Sequence, residues 1–190
     1  MTETCGDSVM TTQETFQFSE GGSIPTSPLQ LSFSTIRPKE ACYLNSIWHS
    51  RFPYINYTNV CRTGKYACYC ATYNNSYYAV AIWSRPIAAN RMKDGWLLME
   101  LRRLAISPDA PKNTASRMLS WMRKDIKKRF PEMIRLVSYQ DTEVHSGTIY
   151  KASGWRLASN PDKSIDWNTG KRKRNAAQSS APKARWEIDL

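Results

Sequence analysis

The sequence contains no run of about 18 apolar residues, the shortest stretch that spans a bilayer as a helix, so neither an integral membrane protein nor a membrane partner is expected. Its first twenty residues have no basic segment followed by an apolar one. A secretory leader is therefore not expected, and the cytoplasm is the expected compartment. There is no Cys-x-x-Cys pair, which argues against a zinc ribbon or a thioredoxin-type redox site. The five cysteines (Cys5, Cys42, Cys61, Cys68 and Cys70) are read as reduced thiols, with Cys68 and Cys70 packing as small apolar groups on one face of a strand. Histidine is scarce, with only His49 and His145, and no internal repeat is visible.

Basic residues are missing from one stretch in particular. Residues 1–27 carry four acids and no base, and are rich in Ser, Thr and Gly, as expected for a mobile acidic tail. Residues 28–190 then hold all 27 basic residues against 12 acids, a net +15 in a chain of net +11. Such a field concentrates polyanions: nucleic acid is the obvious candidate and an acidic membrane surface the blander alternative, and charge alone identifies neither a fold nor a reaction. A length of 190 residues with 41% hydrophobic content fits one domain with a real core over 28–190.

Along that domain the alternation in Leu31-Ser-Phe33 predicts a first strand, and Pro38 opens a helix running to about His49. Leu44, Ile47 and Trp48 are expected on its buried face. Lys65–Tyr73 and Tyr77–Arg85 read as a hairpin turned at Asn74-Asn75-Ser76, and Gly95–Ser107 as a further strand. Ala115, Met118, Leu119, Met122 and Ile126 recur at helical spacing between a cap at Asn113 or Thr114 and a stop at Pro131. The other face of this helix is basic, with Arg117, Arg123, Lys124, Lys127 and Lys128. A strand at Arg135–Tyr139, a helix at Val144–Ser153 closed by Gly154, and strands from Trp155 and Arg185 follow. A basic loop at about 160–184 contains Lys171, Arg172, Lys173 and Arg174.

The chemistry is concentrated between Glu100 and Trp155. A strand feeds the loop Ser107-Pro-Asp-Ala-Pro-Lys-Asn-Thr-Ala-Ser116, which opens a helix, and a helix N-terminus is a ready phosphate site. Further on comes Ile149-Tyr-Lys-Ala-Ser-Gly-Trp155. This order resembles the GNAT acyltransferase superfamily, whose strand, phosphate loop, helix and Leu-Tyr-x-x-x-Gly-Phe segment it follows over roughly 29–158. The resemblance implies a single α+β domain with a mixed central sheet splayed between strands 4 and 5 and flanked by helices. It also implies acetyl-CoA or a related acyl donor as cofactor. Arg103 and the backbone of Leu104, Ala105 and Ile106 would meet its pantetheine side, and Lys112, Asn113, Thr114 and Ser116 its pyrophosphate. Tyr150 would protonate the departing thiolate, and Glu100 would act as a base through water. The sequence departs from the pattern in one respect: the phosphate loop contains no glycine.

Longer runs narrow the resemblance. Leu101 to Ser116, Ser138 to Trp155 and Ala184-Arg-Trp-Glu187 resemble the Mom group, phage DNA-modification proteins on a divergent GNAT branch. That group converts the exocyclic amine of adenine to a carbamoylmethyl (acetamido) form and so protects phage DNA from host restriction. The likeness implies catalytic roles for Asp141, Tyr150 and His49, with His49 and Asp141 as ligands of an iron ion. Double-stranded DNA would be gripped by Lys171, Arg172, Lys173, Arg174 and Arg117, and a homodimer is left open. Blander readings stand beside these: His49 as a packed or capping histidine, Asp141 as a helix cap, and half of the tyrosines Tyr54, Tyr57, Tyr66, Tyr69, Tyr77 and Tyr78 as sheet packing rather than base-stacking groups. An ordinary N-acetyltransferase acting on a protein or small-molecule amine, and a non-catalytic DNA-binding module, remain the alternatives.

Overall fold

A computed structural model describes residues 24–86, 97–159 and 183–190. The acidic tail up to Ser23 and the basic loop with Lys171–Arg174 lie outside these residues. A short 3-10 turn, Pro28–Gln30, precedes β1 (Ser32–Thr35), α1 (Pro38–Trp48), α2 (Tyr57–Cys61), β2 (Tyr66–Tyr73) and β3 (Ser76–Ser84). Then come β4 (Leu98–Ile106), α3 (Thr114–Arg129), β5 (Arg135–Asp141), α4 (Thr148–Ala152), β6 (Arg156–Ser159) and β7 (Lys183–Asp189). The seven strands form one sheet in the order β1-β2-β3-β4-β5-β7-β6. All neighbours are antiparallel except β4 and β5.

Helices cover both faces of the central strands, and the strands read accordingly. β3 is apolar nearly without interruption from Ala79 to Trp83, all buried, as a strand covered on both sides must be. Val80 and Ile82 meet Ala41 and Leu44 of α1 and Val60 of α2. Ala79, Ala81 and Trp83 meet Met118, Leu119, Met122 and Ile126 of α3. Those four α3 residues are the stripe predicted from spacing, with Ala115 only half-buried. Cys68 packs on the α1 side as expected, and burial pushes its thiol up to about 12.

Several sequence expectations need correction. Ile47 of α1 is exposed, and Asn45 is buried in its place, because its amide serves a loop bond described below. The helix expected over Val144–Ser153 is helical only from Thr148, because Gly147 sits at φ +77 and cannot continue a right-handed turn from 144. Of the clustered tyrosines, the sheet claims Tyr69 and Tyr78 outright and half-buries Tyr66 and Tyr77, leaving Tyr54 and Tyr57 exposed. The hairpin turn is tighter than expected, with Asn74 and Asn75 alone at φ 46 and 61, the signature of a two-residue turn that matches strand twist.

Two irregularities of β4 shape the functional end. Its register with β3 skips between Ile82↔Arg103 and Trp83↔Leu101, so Arg102 is an extra, bulged residue. Its parallel register with β5 runs only from Leu98↔Arg135 to Leu101↔Ser138, although both strands continue. β4 goes on with β3 to Ile106, and β5 goes on with β7 to Asp141. The sheet therefore splays between strands 4 and 5, as expected.

The core supplies a first test. The Trp83 indole N–H donates to the Met122 sulfur at 3.1 Å, and both side chains are fully buried. Met122→Ala removes the packing and that acceptor together, and is expected to cost about 2–5 kcal/mol in urea unfolding.

Candidate functional site at the splay

Tyr150 stands at the apex of the opening. Its hydroxyl is 2.8 Å from the Ser138 hydroxyl, on the last rung that joins β5 to β4. Its ring stacks on Trp186 at 5.3 Å between centroids and 13° between planes, and meets Trp155 edge-on at 5.6 Å. Trp186 is held in turn by Gln140, whose Oε1 accepts the indole N–H at 2.6 Å, while the Gln140 amide donates to the His145 carbonyl. Gly147 makes this stack possible: a Cβ there would stand 2.5 Å from Trp186 and 2.7 Å from Gln140. Burial raises the Tyr150 pKa, opposed in part by the Ser138 bond, so the phenol keeps its proton at neutral pH.

The other wall is the far half of β4, the loop after it and the start of α3. Leu104, Ala105 and Ile106 lie beyond the last β4–β5 rung. In the loop, Asn113 adopts φ +68, a left-handed conformation that asparagine tolerates better than most residues. It does the conformational work of the missing glycine. Asn113 is the N-cap but makes no side-chain cap bond. Thr114 is buried, and its hydroxyl donates to Pro111 O at 2.6 Å, so its role is internal. The Ser116 hydroxyl donates to Asn113 O, and Lys112 is exposed beside it. At the turn Thr114 N donates to Pro111 O and Arg117 N to Asn113 O, and the first amides of a helix have no partner within the helix itself.

The open end between the walls is bridged by the segment that follows α1. His49 is the C-cap of α1, and its Nδ1 accepts from Phe52 N at 3.3 Å. Asn45 anchors the segment by donating to the carbonyls of Phe52 and Pro53. Phe52 O also accepts from Arg103 Nε at 3.3 Å. Arg51 donates to Glu143 Oε2 at 2.8 Å and Asp141 Oδ2 at 3.3 Å, linking this segment to the end of β5. Asp141 is nearly buried, and its other oxygen accepts from Glu143 N at 3.1 Å. The structure thus gathers His49, Arg103, Asp141 and Tyr150 around the splay. Glu100 lies on β4 with Arg102 Nε 3.5 Å from its carboxylate, and Arg102 also reaches Ser84. Burial and Arg102 bring Arg103 down to about 10, still a cation at neutral pH and a poorly solvated one.

Two assignments do not fit the geometry. Arg117 donates to the carbonyls of Pro28 and Leu31 and covers the Phe33 ring at 5.1 Å, so it clamps the chain entering β1 rather than facing DNA. An iron ion does not fit the residues present: no three His, Cys, Asp or Glu side chains come together among the described residues, and Arg51 engages the Asp141 carboxylate. Sequence reading missed Asn45, Arg51, Phe52, Gln140 and Trp186. Asn45 carried a signal as a polar residue one position after Leu44 on an otherwise apolar helix stripe, Gln140 and Trp186 stand within the runs that resemble the Mom group, and Arg51 and Phe52 carried none.

The fold and the splay define a GNAT-type architecture. Solved structures agree. Over 84% of this chain and 99% of its own, the ribosomal-protein-alanine N-acetyltransferase from Brucella melitensis is similar at 9% identity and TM-score 0.59. The ribosomal-protein-S18-alanine N-acetyltransferase from Escherichia coli is similar at 14% identity and TM-score 0.56, over 84% and 93%. A GNAT family acetyltransferase from Elizabethkingia anophelis with acetyl-CoA bound gives 11% identity and 0.55, over 85% and 99%. No curated protein matches the sequence. Residues 57–188, more than half of the chain, match the Mom protein family, and the chain belongs to that family.

His49 gives a pH test. Burial, then Arg103 and His145, lower its pKa to about 4, against an unfolded value near 6.5. Between these values the unfolded chain binds the extra proton, so stability falls as pH drops from 6.5 towards 4. His49→Gln is expected to lose less melting temperature than the wild type between pH 7 and pH 5, measured by circular dichroism.

Proposed function

We propose that this chain modifies the exocyclic amine of adenine in DNA, using an acyl-CoA-type donor, to a carbamoylmethyl (acetamido) form that shields phage DNA from restriction. The observation that carries the reading is the Mom family match over a splayed site whose flanks are basic. A carbamoylmethyl group is joined through an N–CH2 bond, so the donor would present an electrophilic methylene carbon whose leaving group departs as the amine attacks; attack on an acyl carbonyl would give an N-acyl adenine instead. The donor's pantetheine would follow the β4 backbone at Leu104, Ala105 and Ile106. Its pyrophosphate would meet the Ala115 and Ser116 amides, with Lys112 beside them. Tyr150, kept protonated by burial and oriented by Ser138, is placed to give a proton to a leaving group at the apex.

An enzyme acting on a base in a duplex must extrude it. A cavity of about 440 Å³ opens beside β4, lined by Tyr54, Asn56, Asn59, Arg62 and Arg102 among others. It offers an exposed aromatic face, side-chain amides and cations, the groups that stack on and hydrogen-bond an extruded base. Glu100, which is not one of the lining residues but pairs with Arg102, which is, would take a proton from the incoming amine through water. The late loop Lys171–Arg174 would grip the flanking phosphates.

Nucleoside mass spectrometry of plasmid DNA from bacteria expressing the chain tests the reading. A mass-shifted deoxyadenosine is expected. Unmodified nucleosides alongside soluble protein would defeat the reading, and acetylation of a protein or polyamine instead would favour the ordinary acyltransferase.

Tyr150→Phe and Asp141→Ala are each expected to lower modification by about 10²-fold or more, with melting temperature and duplex affinity nearly kept. Tyr54→Ala should weaken the fluorescence change of a 2-aminopurine-labelled duplex while leaving overall affinity within a few-fold. Neutralising Lys171–Arg174 should flatten the salt dependence of binding by about 0.9 log unit per lost phosphate contact.

A further inference from the structure

The segment His49–Pro53 is attached across the open end of the splay in three physically different ways. On the α1 side its carbonyls accept from the buried Asn45 amide at 2.8 and 3.2 Å, neutral bonds shielded from water. In the middle, the Phe52 ring lies between the Arg103 guanidinium and the Lys183 ammonium, each 5.3 Å from its centroid. On the β5 side it is held by Arg51 alone, through Glu143 at 2.8 Å and Asp141 at 3.3 Å.

That third attachment is the weak one. The Arg51 side chain is 40% exposed and the Glu143 side chain 58% exposed, so solvent screens their pair. Exposed pairs of this kind contribute little, because both side chains give up freedom to hold one geometry and water screens their attraction. Asp141, in contrast, is 9% exposed, and its carboxylate faces this guanidinium. A phosphodiester presents two oxygens to a guanidinium much as a carboxylate does, and arginine takes either in the same forked geometry. The place is also cationic: Arg103 and Lys183 meet at the Phe52 ring, next in sequence to Arg51, in a body of net +15.

We propose that Arg51 is an exchangeable latch, held by Glu143 and Asp141 in the free protein and transferred to a backbone phosphate when nucleic acid docks. The exchange seats the segment on the substrate backbone and uncovers the Asp141 carboxylate beside the splay. Two carboxylates are traded for one phosphate, so occupancy follows phosphate density and not base sequence. The inference takes its ligand from the nucleic-acid reading above, but its logic is a competition between named groups.

Competition predicts a coupling. Glu143→Gln removes the exposed competitor, so the wild-type Arg51 should bind phosphate more readily. Duplex dissociation constants are measured by anisotropy of a short fluorescein-labelled DNA for the full chain and for Glu143→Gln, Arg51→Ala and the double variant, over a salt series. Glu143→Gln should tighten binding about two- to fivefold, the range of an exposed ion pair. Arg51→Ala should weaken binding and reduce the salt slope by about 0.9. In the Arg51→Ala background, Glu143→Gln should bring no comparable gain. Arg51→Gln, which keeps the side-chain stem, replaces Arg51→Ala should that variant melt early.

Equal gains from Glu143→Gln in both backgrounds would mean simple charge repulsion and would overturn the latch. So would an unchanged salt slope in both Arg51 variants. Modified deoxyadenosine from the wild type alongside such additive energies would sink the latch alone. A wild-type chain that binds no duplex would sink the nucleic-acid reading with it.

Discussion

The parting of β4 from β5 after the rung Leu101↔Ser138 is the constraint on which the rest of the structure depends. Four parallel rungs hold the two halves of the sheet together, and beyond them each strand keeps only one neighbour. The β-bulge at Arg102 lies one residue past the last rung. A bulge bends its strand and sharpens local twist. It also resets the alternation of β4: Met99 and Leu101 pack on the α3 side before it, and Leu104 and Ile106 on the same side after it. Without the extra residue the apolar positions beyond it would face the wrong layer. The opening and the continuity of the core are thus two results of one inserted residue.

The two sides of the opening are stabilised differently. The apex is dry and aromatic: Trp155 and Trp186 each contact Tyr150, and Gln140 and Ser138 satisfy the polar atoms of Trp186 and Tyr150. The Tyr150 hydroxyl and the Trp186 indole N–H have partners there, which favours a fixed arrangement, while the buried Trp155 indole nitrogen has none. The mouth is wet and charged, built from exposed or half-exposed pairs that reorganise at little cost. A reaction that needs an immobile proton donor and an adaptable polymer substrate is well served by that division.

Much of the fold was legible in the sequence. The α3 stripe, the hairpin at Asn74-Asn75 and the Gly154 turn follow from periods and backbone preferences that one segment carries by itself. The site was legible in part. Asp141, Tyr150 and Arg103 stand in runs that resemble a family, and the structure brings them to one opening. Arg51 and Phe52 were not legible, because their meaning lies in partners about 90 and 50 residues away, Asp141 with Glu143 and Arg103. Arg117 misled for the same reason: a cation on a basic helix face looks solvated until the carbonyls of Pro28 and Leu31, 89 and 86 residues away, are placed against it. Gly147 shortened a helix whose stop at Gly154 was read correctly but whose own left-handed residue was passed over.

Asn113 has a consequence for how the loop that opens α3 behaves. Glycine in a left-handed turn is free to leave it, and its chain loses much entropy on settling there. Asparagine at φ +68 has fewer conformations to give up, and Pro108 and Pro111 restrict the same loop further. The loop is therefore stiff where a glycine-rich one is supple. It has little room to reshape itself around what it meets. A ligand docking here would have to match this surface as it stands, so the discrimination a flexible loop delays until contact is built into the backbone beforehand.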